Sequence, residues 1–149
     1  AVISMTGCFN QKKREFNAVW NLQSTQYFFD NFNNHIICTG LEVGADIVTG
    51  FPQMNMPDLF NPVKMAYYLF TDGQNTRPSW DLTAVMLATE GVSEYFKLSE
   101  KGHISFTDEG ITVFTPSPSG KHKYMIKNTD NMAISGYINE LLEIAASAD

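Results

Sequence analysis

Apolar residues recur along the chain with two different spacings, and the spacing changes near residue 103. The opening run Ala1-Val2-Ile3-Ser4-Met5 is apolar, holds two β-branched residues and stops at Gly7, the pattern of a strand buried in a parallel sheet. It starts without a lead-in. Because chain termini usually lie at a domain's surface, this predicts further sequence upstream and a domain incomplete without it. After a polar loop from Asn10 to Arg14, Asn21 caps a helix in which Leu22, Thr25, Phe29 and Phe32 recur at i, i+3, i+7 and i+10. His35 to Thr39 is a second β-branched run, closed by Gly40. Strand, helix and strand in that order read as a βαβ unit.

Gly44 to Asp58 reads as a long loop bordering a site. Asn61-Pro62 then starts a helix with Val63, Ala66, Tyr67 and Phe70 on one face, and Asp72-Gly73 ends it. Ser79 or Asp81 caps the next helix, where Leu82, Val85, Met86 and Thr89 line one side before Gly91. From His103 the spacing becomes two: Ile104 and Phe106, then Ile111 and Val113, flank the turn Asp108-Glu109-Gly110 and predict a hairpin. Ser117-Pro118-Ser119-Gly120 turns into Lys121 to Lys127, a third antiparallel strand. Thr129 or Asp130 caps a last helix whose buried face is Ile134, Ile138, Leu141, Leu142 and Ala145. The fold class expected is α/β: a single domain over 1–149 with a parallel, Rossmann-like sheet flanked by helices and a small antiparallel hairpin near the carboxy end.

Composition narrows the function classes. With 44% hydrophobic and 17% charged residues the chain folds rather than staying disordered. The net charge is −6 and the basic residues are scattered apart from Lys12-Lys13-Arg14, so no basic stripe exists to neutralise nucleic acid. Apolar runs are a few residues long, far short of the roughly 20 that span a bilayer. Cys8 and Cys38 sit among apolar or small residues and read as core positions, too few for a disulfide framework. Cytoplasmic and exported locations both stay open.

Spacing alone yields no HExxH, GxSxG, Walker loop or paired CxxC. Three segments carry more: Met5-Thr6-Gly7, then Glu15-Phe16-Asn17 before a helix, then Arg77-Pro78-Ser79-Trp80-Asp81-Leu82-Thr83-Ala84-Val85. In that order, and over nearly the whole chain, they resemble the inosine-uridine-preferring nucleoside hydrolase family. The resemblance implies cleavage of an N-glycosidic bond in a nucleoside or related ribosyl compound with Ca²⁺ assistance. Met5, Glu15 and Asn17 would be sugar contacts and Asp81 a Ca²⁺ ligand. Trp80 stands where the family often has a His that protonates the leaving base, so it becomes a substrate contact and no catalytic acid is assigned. Trp can donate a hydrogen bond or stack on a base but cannot transfer a proton as a general acid. Asn10 is a candidate for a further ribose-binding Asn. The family's Asp-rich motif lies in the amino-terminal half, absent here, so the partners implied are a small-molecule substrate and that missing half, with a homo-oligomer left open. The segment alone is expected to be inactive. A non-catalytic sugar- or nucleoside-binding homologue, or a hydrolase of another furanoside, is the competing expectation.

Plainer roles compete at each position. Asp81 before a helix suits an N-cap, Glu15 after three cations a solvated carboxylate, and Met5 core filling. His35, His103 and His122 lack neighbours at ligand spacing and read as structural or exposed. Phe28-Phe29 and Tyr67-Tyr68 read as helix packing, with one ring open to a base-binding pocket.

Overall fold

A computed structural model describes residues 1–54 and 60–147. In chain order its elements are β1 (Val2–Ser4), α1 (Phe16–Trp20), α2 (Leu22–Asn31), β2 (Ile36–Cys38), α3 (Leu41–Gly44), β3 (Val48–Gly50) and α4 (Pro62–Phe70). There follow β4 (Thr76–Pro78), α5 (Trp80–Glu90), β5 (Phe96–Leu98), β6 (Gly102–Phe106), β7 (Thr112–Pro116), β8 (His122–Lys127) and α6 (Asn131–Ser147). The fold is mixed α/β. Its main sheet runs β1-β2-β8-β6-β7, with β5 also on β8, and β3 and β4 form a small antiparallel sheet.

Period two along β2 assigns the layers. Ile36 and Cys38 face one core with Ala18, Phe29, Ile104 and Phe106, so α1 and α2 cover that side. Ile37, with Ile3, packs on the other core, where Val43, Met86, Leu87, Ile134 and Ile138 bring in α3, α5 and α6. Local cap chemistry holds the helices as the sequence implied. Asn21 accepts from the Ser24 amide at 3.1 Å, Asn61 from Lys64 at 2.9 Å, and Asp130 from Ala133 at 2.9 Å.

Long-range pairing departs from expectation. β8 is antiparallel to β6 and β5 but parallel to β2, so it is the strand where the two halves of one sheet meet. In the hairpin Ile104 pairs with Phe114, which turns Phe114 inward and leaves Val113 39% exposed; the expected Ile111/Val113 face is one residue out of register. On α5 the buried residues are Thr83, Met86 and Leu87, while Val85 points outward. Leu141 and Ala145 of α6 are exposed, and α4 buries none of its residues. α1, α3, β3, β4 and β5 have no counterpart in the elements expected from the sequence, and Arg77-Pro78 lies in β4. The loop expected over Gly44 to Asp58 contains β3, and its residues 55–58 lie outside the described residues.

α3 and α5 pack through backbone. A Cβ added at Gly44 would stand 2.5 Å from Trp80 Cα and 2.6 Å from its N, with no flexible side chain to yield. Gly136, inside α6, has open space around it. In urea denaturation, Gly44→Ala should cost about 1–3 kcal/mol by overpacking. Gly136→Ala should gain about 0.5–1 kcal/mol from helix propensity.

Candidate functional site

β1, β2 and β8 are mutually parallel, so their carboxyl ends lie together, the edge at which α/β sheets place ligands. The segment after β1 is held by Glu15. Its backbone is extended, φ −98° and ψ 136°, and the helix of α1 follows at once. Its side chain turns back over the first turn: Oε1 accepts from Asn17 N at 2.8 Å, and Oε2 from Ala18 N at 2.9 Å and Gly7 N at 3.1 Å. The residue is 2% exposed. Glu15 is therefore an N-cap that also ties down the turn after β1, not the solvated carboxylate its three cationic neighbours suggest. Three amides occupy three of its roughly four lone-pair positions, leaving at most one for a ligand hydroxyl.

Asn17, exposed on α1, reaches back to β1. Its Nδ2 donates to Met5 O at 3.0 Å and lies 3.1 Å from Met5 Sδ. Met5, Glu15 and Asn17 are thus one cluster. From it a chain of hydrogen bonds crosses the sheet end. Leu41 N donates to Gly7 O at 2.8 Å, and Leu41 O accepts from Trp80 Nε1 at 3.0 Å. Glu15, Gly7, Leu41 and Trp80 are linked in sequence. Gly7 has φ +90°, and a Cβ there would press on the Phe9 ring at 3.1 Å, so the turn requires glycine.

Asp81 lies one residue further on, in the first turn of α5. Ser79, not Asp81, is the N-cap; it makes no side-chain cap bond, and its hydroxyl bonds Thr49 Oγ1 instead. Among the described residues the Asp81 carboxylate makes no hydrogen bond or ion pair. It lines a separate cavity of about 340 Å³ with Tyr67, Phe70, Arg77 and Ser79. Asn17 borders another, of about 300 Å³, with Thr6, Trp20 and Phe28. No group of three or more His, Cys, Asp or Glu side chains gathers among the described residues in a way that could hold a metal. Ca²⁺ takes 6 to 8 oxygens. Asp81 would be one of them, so the described residues do not make a Ca²⁺ centre by themselves.

A cavity of about 610 Å³ opens beyond the same strand ends and is lined by Cys8, Phe9, Asn10, Glu42, Tyr124 and Lys127 among others. Glu42 was not foreseen. Both its oxygens accept from Phe9 N, at 3.3 and 3.2 Å, and Phe9 stacks on Tyr124 with centroids 4.4 Å apart. Its position just after Gly40, past the end of a parallel strand, was the available signal. Burial first, and the Glu42 carboxylate second, push the Cys8 thiol above its usual range; burial, then Glu15 and Glu42, do the same to Cys38. Asn10 faces this cavity, not the Met5–Asn17 cluster. No helix of the described residues is long and apolar enough to cross a membrane.

Compared with known proteins, the chain matches no family model and no curated sequence.

Removing the Glu15 carboxylate strands three amides, two of them in buried bonds. Hydrogen bonds to a charged group are worth about 1.5–3 kcal/mol each, and their effects overlap when one group makes all three. Glu15→Ala should lower unfolding free energy by at least about 3 kcal/mol. Glu15→Gln keeps one acceptor oxygen and should lose less, which thermal denaturation of the two variants will compare.

Proposed function

We propose that this chain supplies the ribose-contacting portion of a nucleoside-hydrolase-like N-glycosidase, within a Rossmann-like domain completed by an upstream segment. The observation that carries the reading is the hydrogen-bonded succession from Glu15 through Gly7 and Leu41 to Trp80. It joins one residue from each of three segments, Gly7, Glu15 and Trp80, by way of Leu41, while Asp81 lines a neighbouring cavity of its own. Spacing in the sequence does not require that.

Each side chain then has a stated task. Met5 and Asn17 contact the sugar, with the Asn17 amide already fixed against the Met5 carbonyl and sulfur. Glu15 positions both by holding the Gly7 turn and α1, and offers its remaining lone pair to a hydroxyl. Asp81, free of partners among the described residues, supplies one carboxylate to Ca²⁺, whose other ligands come from the upstream aspartates. Bound there, the ion would grip ring hydroxyls and lower the pKa of a water. Trp80 is the remaining substrate contact of this reading, with its indole N–H already spent on Leu41 O. That use of the indole favours a second reading, a sugar- or nucleoside-binding homologue without catalysis, because no acid stands at Trp80 to protonate a leaving base. A positioned acid contributes roughly 10²- to 10⁴-fold.

The test is titration of the chain, with its upstream segment, with Ca²⁺ and ribose by calorimetry, alongside hydrolysis of a nitrophenyl riboside, whose leaving group needs no acid. Ca²⁺-dependent turnover is expected from the complete protein and none from residues 1–149 alone. Asp81→Ala should weaken Ca²⁺ affinity at least tenfold, or about 1.4 kcal/mol. Unchanged affinity removes the metal assignment, and binding without turnover establishes the second reading.

A further inference from the structure

The hairpin β6–β7 joins the parallel half of the sheet through a narrow seam. Among the described residues the paired rung between β6 and β8 is Gly102 with His122. Two residues along β6, the Ile104 amide donates to His122 Nδ1 at 2.9 Å in a buried bond. An imidazole thus stands where a strand carbonyl would ordinarily accept. His122 is 5% exposed, and its ring meets Phe29 of α2 at 90° with centroids 5.7 Å apart. Across the seam β7 holds the loop at the candidate site: Cys8 N donates to Thr112 Oγ1 at 3.0 Å, and Arg14 bridges to Ile111. Whatever loosens the seam reaches that loop.

We propose that His122 is an acid-sensitive latch: protonation of its ring releases the Ile104 amide, loosens β6–β7 from β8 and weakens the contacts by which Thr112 and Ile111 hold Cys8 and Arg14. An N–H pointing at Nδ1 requires the neutral ring with its proton on Nε2, and a second proton would set donor against donor inside an apolar layer. The groups bearing on His122 are His103 on β6, its ring centroid 6.0 Å away, the Ile104 backbone and Asp30 on α2; Lys121 and Lys123 flank it in sequence, and β2 brings the uncharged Ile36. The Ile104 backbone and, after it, Asp30 favour the cation. Burial first and His103 second outweigh them and hold His122 below its ordinary pKa of 6.5. The folded state therefore binds fewer protons than the open one. The latch is fully closed above pH 6.5, weakens as pH falls from there towards the lowered value, and loses nothing further below it.

Amide exchange read by NMR tests this, with rates expressed as protection factors to remove the intrinsic pH dependence. In the wild-type chain, protection of Ile104 should fall by up to about tenfold per pH unit below 6.5, with Cys8, whose amide donates to Thr112 Oγ1, following. His122→Asn, which keeps an acceptor near the Nδ1 position and cannot titrate, should show a flat profile across that window. Ring titration of His122 in the wild-type chain stands independently of that variant and should give a midpoint below 6.5. A midpoint at or above 6.5, or Ile104 protection that does not change with pH, overturns the proposal. The latch does not depend on the glycosidase reading.

Discussion

A single buried carboxylate gathers the end of the sheet. Charge is costly to bury unless it is met by hydrogen bonds, and Glu15 is met by three backbone amides from two separate stretches of chain. Two of the three belong to α1, where the helix dipole favours negative charge, and the third to the turn after β1. The geometry of Met5, Asn17 and Gly7 follows from satisfying that one group. Leu41 and Trp80 are then placed by the Gly7 carbonyl and by the close approach of Gly44 to the backbone of α5. The candidate site is thus a consequence of polar accounting at a strand end, carried out mostly by main-chain atoms.

The same economy explains why the polar side chains divide into two kinds. Glu15 and Glu42 are engaged by amides of neighbouring turns and act on the backbone. Asp81 has no such partner among the described residues and remains available at the start of α5. A carboxylate already neutralised by amides gains little from a cation; an uncommitted one gains more. That difference, rather than proximity, separates the positioning residues from the ligand candidate.

Features set by short-range chemistry were legible in the sequence. Asn21, Asn61 and Asp130 cap helices because each side chain reaches an amide three residues on, a relation contained in the sequence itself. Glu15 was missed as a cap because Glu is an uncommon cap and its third donor, Gly7, lies 8 residues back. The central place of β8 and the outward turn of Val113 depend on register with distant strands, which period two leaves open to a slip of one residue. At the site, the direction of the Trp80 indole depended on a carbonyl 39 residues away, which no local spacing reports.

The two cysteines acquire a use from where they sit. Both thiols are buried and held above their usual pKa, which disfavours the thiolate that alkylating reagents require. Cys8 rides on the loop tied to β7, while Cys38 lies in β2 at the heart of one layer. The molecule carries a built-in pair of chemical clocks, one timing departure of the outer loop and the other timing collapse of the central strand. A difference between their labelling rates measures how independently those two regions breathe.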